Sequence, residues 1–157
     1  IRQKTASLMA ACCVAGAASV DADEAAQAMA RAFGEALGMA FQIQDDLLDF
    51  DRFATTGKPA GIDVKEQKMT LPLIHALSMA NTSQRREMVG IVKKKTNDPR
   101  AVASLMSTVV ELGGVRYAVK RMGQWQDEAL THLHALPESA SKESLKALVD
   151  FVASRRS

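Results

Sequence analysis

Within Phe41-Gln42-Ile43-Gln44-Asp45-Asp46-Leu47-Leu48-Asp49-Phe50, three carboxylates sit in an otherwise apolar, helix-like run that contains no lysine or arginine. On a helix, residues three and four apart share a face, so Asp45 and Asp49 stack, Asp46 flanks them, and Gln42 lies one turn earlier. Like charges stacked this way repel by a few tenths of a kcal/mol per pair in water, and burial raises the cost. A hard divalent cation offsets that repulsion. Oxygen donors alone, unevenly spaced, suit magnesium held together with substrate phosphates better than zinc. The competing reading is a polar, solvated helix face.

Around this run the pattern is helical throughout. Apolar residues make up 47% of the 157 residues and aromatics only 4%, and the apolar share leans on Ala, Leu, Val and Met, which favours helix over sheet. The spacing predicts helices over about Ile1 to Ala18, Asp23 to Phe53, Met69 to Leu77, Ser83 to Lys94, Asp98 to Leu112, Gly114 to Leu136 and Ser141 to Ser154. Asp21 or Asp23, Thr70, Asp98 and Ser139 or Ser141 are the expected caps. Gly34 and Gly38, four apart, leave a groove for close helix contact. Residues 54–63, with two glycines and a proline, are expected to be a loop beside the aspartates. Short connections make consecutive helices antiparallel neighbours, so the expected fold is an all-α, antiparallel helical bundle forming one domain or part of one.

Several function classes drop out. A formal net charge of +2 with no aromatics among the basic clusters gives no nucleic-acid footprint. Counting from Asp49 or Asp51 gives neither the glycine nor the glutamate of an EF-hand loop. His75, His132 and His134 have no zinc-type company, and Gly57-Lys58 lacks the rest of a P-loop. Cys12 and Cys13 are adjacent and splay apart on a helix, so they form no disulfide framework. With no signal-peptide pattern and no long apolar span, the expected compartment is the cytoplasm, without stable membrane insertion.

The run at 41–49 resembles the second aspartate-rich motif of the trans-isoprenyl diphosphate (polyprenyl) synthases. Gly57-Lys58-Pro59-Ala60-Gly61-Ile62-Asp63 resembles the lysine loop that follows it there, and Lys68-Met69-Thr70-Leu71-Pro72-Leu73-Ile74 continues the match. Upstream, Lys4-Thr5-Ala6 is similar to the lysine-threonine pair on the preceding helix of that family. Four motifs in one order span essentially the whole chain.

The resemblance implies an isoprenoid synthase fold and a Mg2+-dependent, head-to-tail condensation of an allylic diphosphate with isopentenyl diphosphate. It implies metal binding by Asp45, Asp46 and, less directly, Asp49. Lys4 and Lys58 would contact the allylic diphosphate, with Thr5 and Gln42 as polar neighbours that position substrate. The family's first aspartate-rich motif and its isopentenyl-diphosphate site precede the lysine-threonine helix, so residues 1–157 are expected to be the C-terminal half of the enzyme, inactive alone. Residues 69–74 lean toward the long-chain, octaprenyl-type branch, and family members are commonly homodimers. Phe151 and Arg155-Arg156 resemble a basic tail that can close over the site. A non-catalytic helical subunit or interaction module that keeps the aspartate helix is the competing function.

Overall fold

The computed structural model describes residues 2–51, 61–94 and 96–155, and they form helices without a strand among them. A π-helical turn (Arg2–Ala6) leads into α1 (Ser7–Ala18), followed by α2 (Glu24–Leu48), α3 (Ile62–Lys65), α4 (Leu71–Met79), α5 (Thr82–Lys94), α6 (Pro99–Glu111), α7 (Gly114–His134) and α8 (Ala140–Ser154). The chain divides into two compact units, one of Ile1–Gln44 with Arg121–Arg155 and one built on Asp45–Lys120.

In the first unit, α2 buries Phe33, Ala36, Leu37, Ala40 and Ile43, a stripe at helical spacing. Asp23 opens this helix, its Oδ1 accepting the Ala26 amide at 2.8 Å. The glycine pair makes the expected groove. A Cβ on Gly38 would lie 2.5 Å from Ala6 Cα, and one on Gly34 would lie 2.7 Å from the Met9 carbonyl oxygen. Only a residue without a side chain admits the backbone of the π-turn and α1 at that range. Ala6 and Ala10, which meet the two glycines, are themselves buried.

The end of α7 and the start of α8 are tied by Lys142. Its stem is buried, and its ammonium donates to the Leu136 carbonyl at 2.8 Å and pairs with Glu138 at 2.6 Å. Ser139 caps α8, accepting the Lys142 amide at 3.2 Å. Small side chains of α1 and α2, with Leu133, His132 and Leu145, line an apolar cavity of about 360 Å3 within this unit.

The second unit has a core of Val64, Leu73, Ala76, Ala80, Met88, Ile91, Val92, Val102, Leu105, Met106 and Val109. On α6 the buried residues fall at positions 102, 105, 106 and 109, the i, i+3, i+4, i+7 stripe of an amphipathic helix. Asp98 caps it as expected, accepting the Arg100 and Ala101 amides at 2.9 and 3.3 Å, and Pro99 takes the first helical position, where its missing N–H costs nothing.

Three expectations need correction. The aspartate helix ends at Leu48, not Phe53, in a turn closed by the Phe50 amide on the Leu47 carbonyl. Residues 62 and 63, expected in a loop, open the one-turn helix α3. Thr70 holds the N-cap position of α4, but its side chain makes no capping bond; the second helical residue, Pro72, has no amide N–H to offer it, and the first amide, of Leu71, goes to a carboxylate 25 residues upstream.

Candidate functional site

The glycine groove sets the first part of the site. With Ala6 seated on Gly38, the preceding residue of the π-turn, Thr5, comes within reach of the α2 side chain one turn beyond that glycine. Thr5 Oγ1 donates to Gln42 Oε1 at 2.8 Å. A π-turn inserted in a helix commonly marks a functional position, and here it carries Lys4, exposed, and Thr5, half-buried. On the same unit the Arg155 guanidinium lies 4.0 Å from the Phe41 ring centroid, and Gln44 Nε2 donates to the Arg155 carbonyl at 2.8 Å. The end of α8 is thereby held on α2 beside Gln42, by a cation–π stack and one hydrogen bond.

The second unit carries the three aspartates, and they are not equivalent. Asp45 is exposed. Asp46 is buried, with 7% of its surface accessible, and its Oδ2 accepts the Leu71 amide at 3.0 Å. That amide is the first of α4 and has no intrahelical acceptor, so a carboxylate there satisfies an orphan donor and complements the helix dipole. Asp49 is half-buried; Oδ1 accepts the Ile62 amide at 2.8 Å and Oδ2 the Asp63 amide at 3.2 Å. Burial pushes the Asp49 carboxyl above its ordinary value, against the downward pull of these amides. The repulsion inferred from the sequence is thus relieved in part by backbone amides.

Beyond them, Asp63 accepts from Lys68 Nζ at 2.9 Å, and the same ammonium reaches Glu66 at 2.7 Å. These two carboxylates, Glu66 foremost, hold the Lys68 ammonium well above the usual lysine range. The sequence marks these ion pairs only by the Asp63-x-x-Glu66-x-Lys68 spacing, across a turn too short for a periodic pattern. Lys58 lies outside the described residues.

The structure therefore brings Thr5 to Gln42, with Lys4 in the same turn, and orders Asp46 and Asp49 around residues 61–71. It does not gather Asp45, Asp46 and Asp49 into one ligand cage: among the described residues no group of three or more acidic, histidine or cysteine side chains is placed to hold an ion. Magnesium is ordinarily held by one or two carboxylates together with substrate phosphates and water, so the donor chemistry fits it without such a cage. Two other sequence features have structural uses. His75 stacks on Tyr117 at 4.1 Å, and His132 lines the apolar cavity.

Comparison with known proteins gives consistent findings. The polyprenyl synthetase family model matches residues 1–109. A short chain isoprenyl diphosphate synthase of Methanothermobacter thermautotrophicus is 34% identical over 156 residues, 99% of this chain and 47% of that protein. Component 2 of a heptaprenyl diphosphate synthase of Geobacillus stearothermophilus is 33% identical over 156 residues, 99% of this chain and 48% of that protein. The crystal structure of a polyprenyl synthase from Caulobacter crescentus, complexed with calcium and isoprenyl diphosphate, superposes with a TM-score of 0.89 at 32% identity, covering 100% of this chain and 48% of that one. The chain spans about half the length of the curated relatives it matches. Its all-helical fold is that of the isoprenoid synthases.

Proposed function

This chain belongs to the polyprenyl synthetase family, and from that premise we propose that the complete protein is a prenyltransferase that joins an allylic diphosphate head-to-tail to isopentenyl diphosphate. The observation that carries the reading furthest is the Thr5–Gln42 hydrogen bond, which ties the lysine-threonine turn to the helix that bears the aspartates. Ionisation of an allylic diphosphate leaves a carbocation and a pyrophosphate anion. The protein must therefore neutralise charge on the leaving group and keep water from the cation.

In this reading Lys4 and Lys58 place ammonium charge on the diphosphate, and Thr5 and Gln42 orient it through the hydroxyl and amide they share. Magnesium, when bound, supplies the rest of the positive charge, held by Asp45 directly with Asp46 and Asp49 behind it. The relative crystallised with calcium and isoprenyl diphosphate supports a divalent ion in this role. Phe41, Ile43 and Leu47 interleave apolar surface with these polar groups on the same helix, which favours a dry site.

Product length is proposed to fall in the long-chain range on the strength of residues 69–74; the two relatives named above are a short-chain synthase and a component of a heptaprenyl synthase. The complete protein is proposed to act as a cytoplasmic homodimer; among the described residues no single helix is long and apolar enough to cross a membrane. A second reading, one subunit of a two-component synthase, draws on the relative named as a component. The test supplies the complete protein with an allylic diphosphate and labelled isopentenyl diphosphate, with magnesium or with a chelator. Magnesium-dependent label in a lengthened prenyl diphosphate is expected, and products beyond the geranylgeranyl size support the long-chain assignment. Absence of label, restored by a second protein from the same cell, favours the component reading.

A further inference from the structure

We propose, resting on the prenyltransferase reading, that Asp49 is a positioning residue: its carboxylate anchors the backbone turn at residues 61–63 and so sets the Asp63–Lys68 pair, instead of binding metal. Both of its oxygens are turned to that turn, Oδ1 to the Ile62 amide at 2.8 Å and Oδ2 to the Asp63 amide at 3.2 Å. These are the first amides of α3, for which the helix itself provides no acceptor.

The turn is shaped for this. Gly61 has φ of 80°, the left-handed conformation, and a Cβ there would come 2.6 Å from Val102 Cγ1. A left-handed residue next to right-handed ones turns successive N–H groups to one side, the geometry of a backbone anion nest, and the Asp49 carboxylate is the anion that fills it. Two independent features, the carboxylate's bonds and the conformation only glycine takes easily, thus serve one arrangement.

What is positioned follows from the next bonds in the chain. Asp63, whose amide Asp49 holds, receives Lys68 Nζ at 2.9 Å on its side chain and the Lys68 amide at 2.8 Å on its carbonyl. The anchoring therefore fixes the backbone from which the Lys68 ammonium is aimed. Asp46 does the matching work at the next helix, through the Leu71 amide. Asp45, exposed and one position earlier, is left as the carboxylate that faces outward.

The test is residue-resolved amide hydrogen exchange in the metal-free complete protein, paired with the magnesium concentration that half-activates the reaction. In Asp49→Ala the Ile62 and Asp63 amides should exchange at least about tenfold faster, with half-activation within about twofold of wild type, because a bond to a charged acceptor is lost and no ligand is. Asp49→Asn keeps one acceptor oxygen and should expose one of the two amides; it decides the matter if Asp49→Ala does not fold. Asp45→Asn should give the opposite pattern, with protected amides and a raised magnesium requirement. Unchanged exchange at Ile62 and Asp63 in Asp49→Ala, or in Asp49→Asn a magnesium requirement raised by about tenfold or more with both amides protected, overturns the assignment. Exchange is read without substrate, so a protein that made no prenyl product would refute the reaction while leaving the anchoring to be judged separately.

Discussion

Asp46 caps a helix that is not its own. Thr70 stands at the N-cap of α4 in an extended conformation, φ −75° and ψ 158°, yet the Leu71 amide goes to Asp46. A bond from an amide to a buried carboxylate is worth about 1.5–3 kcal/mol, against about 1 kcal/mol for an ordinary threonine cap. Asp46→Ala should therefore lower stability by about 1–2 kcal/mol after the relief of burying a charge, and the capping contribution of Thr70 should be close to nil. Urea unfolding of Thr70→Val, which removes the hydroxyl and keeps the shape, should stay close to wild type, while Asp46→Ala shifts to lower denaturant; equal midpoints for Asp46→Ala and wild type would contradict this. The caps of α2, α6 and α8 were readable because acceptor and amide lie within three residues. Asp46 and Leu71 are 25 apart, and local sequence carries no mark of such a bond.

At the scale of elements, helix contacts follow the placement of glycine. Gly34 and Gly38 admit the backbone of another helical segment, whereas Gly90 in α5 and Gly123 in α7 meet nothing within 4 Å of a Cβ built on them. Gly38→Ala should cost about 1–3 kcal/mol through overpacking and should loosen the Thr5–Gln42 bond. Gly90→Ala should raise stability by about 0.5–1 kcal/mol, since alanine gains helix propensity and meets no obstacle. Thermal melts of the two variants should move in opposite directions; a shift of the same sign in both would contradict the packing described for α2.

Most helices were legible from periodic apolar stripes and nearby caps, as α6 shows with its stripe from Val102 to Val109. The one-turn α3 was not, because four residues cannot display a helical period. The π-turn was hidden for a related reason: Arg2–Ala6 continues the pattern of α1, and the contact of Ala6 with Gly38 joins residues too distant in sequence to leave a local mark.

For the whole molecule, motif order carried more than any single motif. The aspartate run by itself left metal binding and a solvated helix face both open. Family membership now stands on the match over residues 1–109. Which carboxylate does what was beyond the sequence, because Asp45, Asp46 and Asp49 share one spacing pattern and differ in burial and in the backbone amides that reach them. The central claim is that the complete protein transfers prenyl groups with Asp45 on the metal and Lys58 on the diphosphate. Its most direct test is the rate of magnesium-dependent condensation in Asp45→Ala and Lys58→Ala, with helicity followed by circular dichroism. Both variants should lose about 100-fold or more in rate with unchanged helicity, as expected where charge on a leaving group is no longer stabilised. Wild-type turnover in both would contradict the claim.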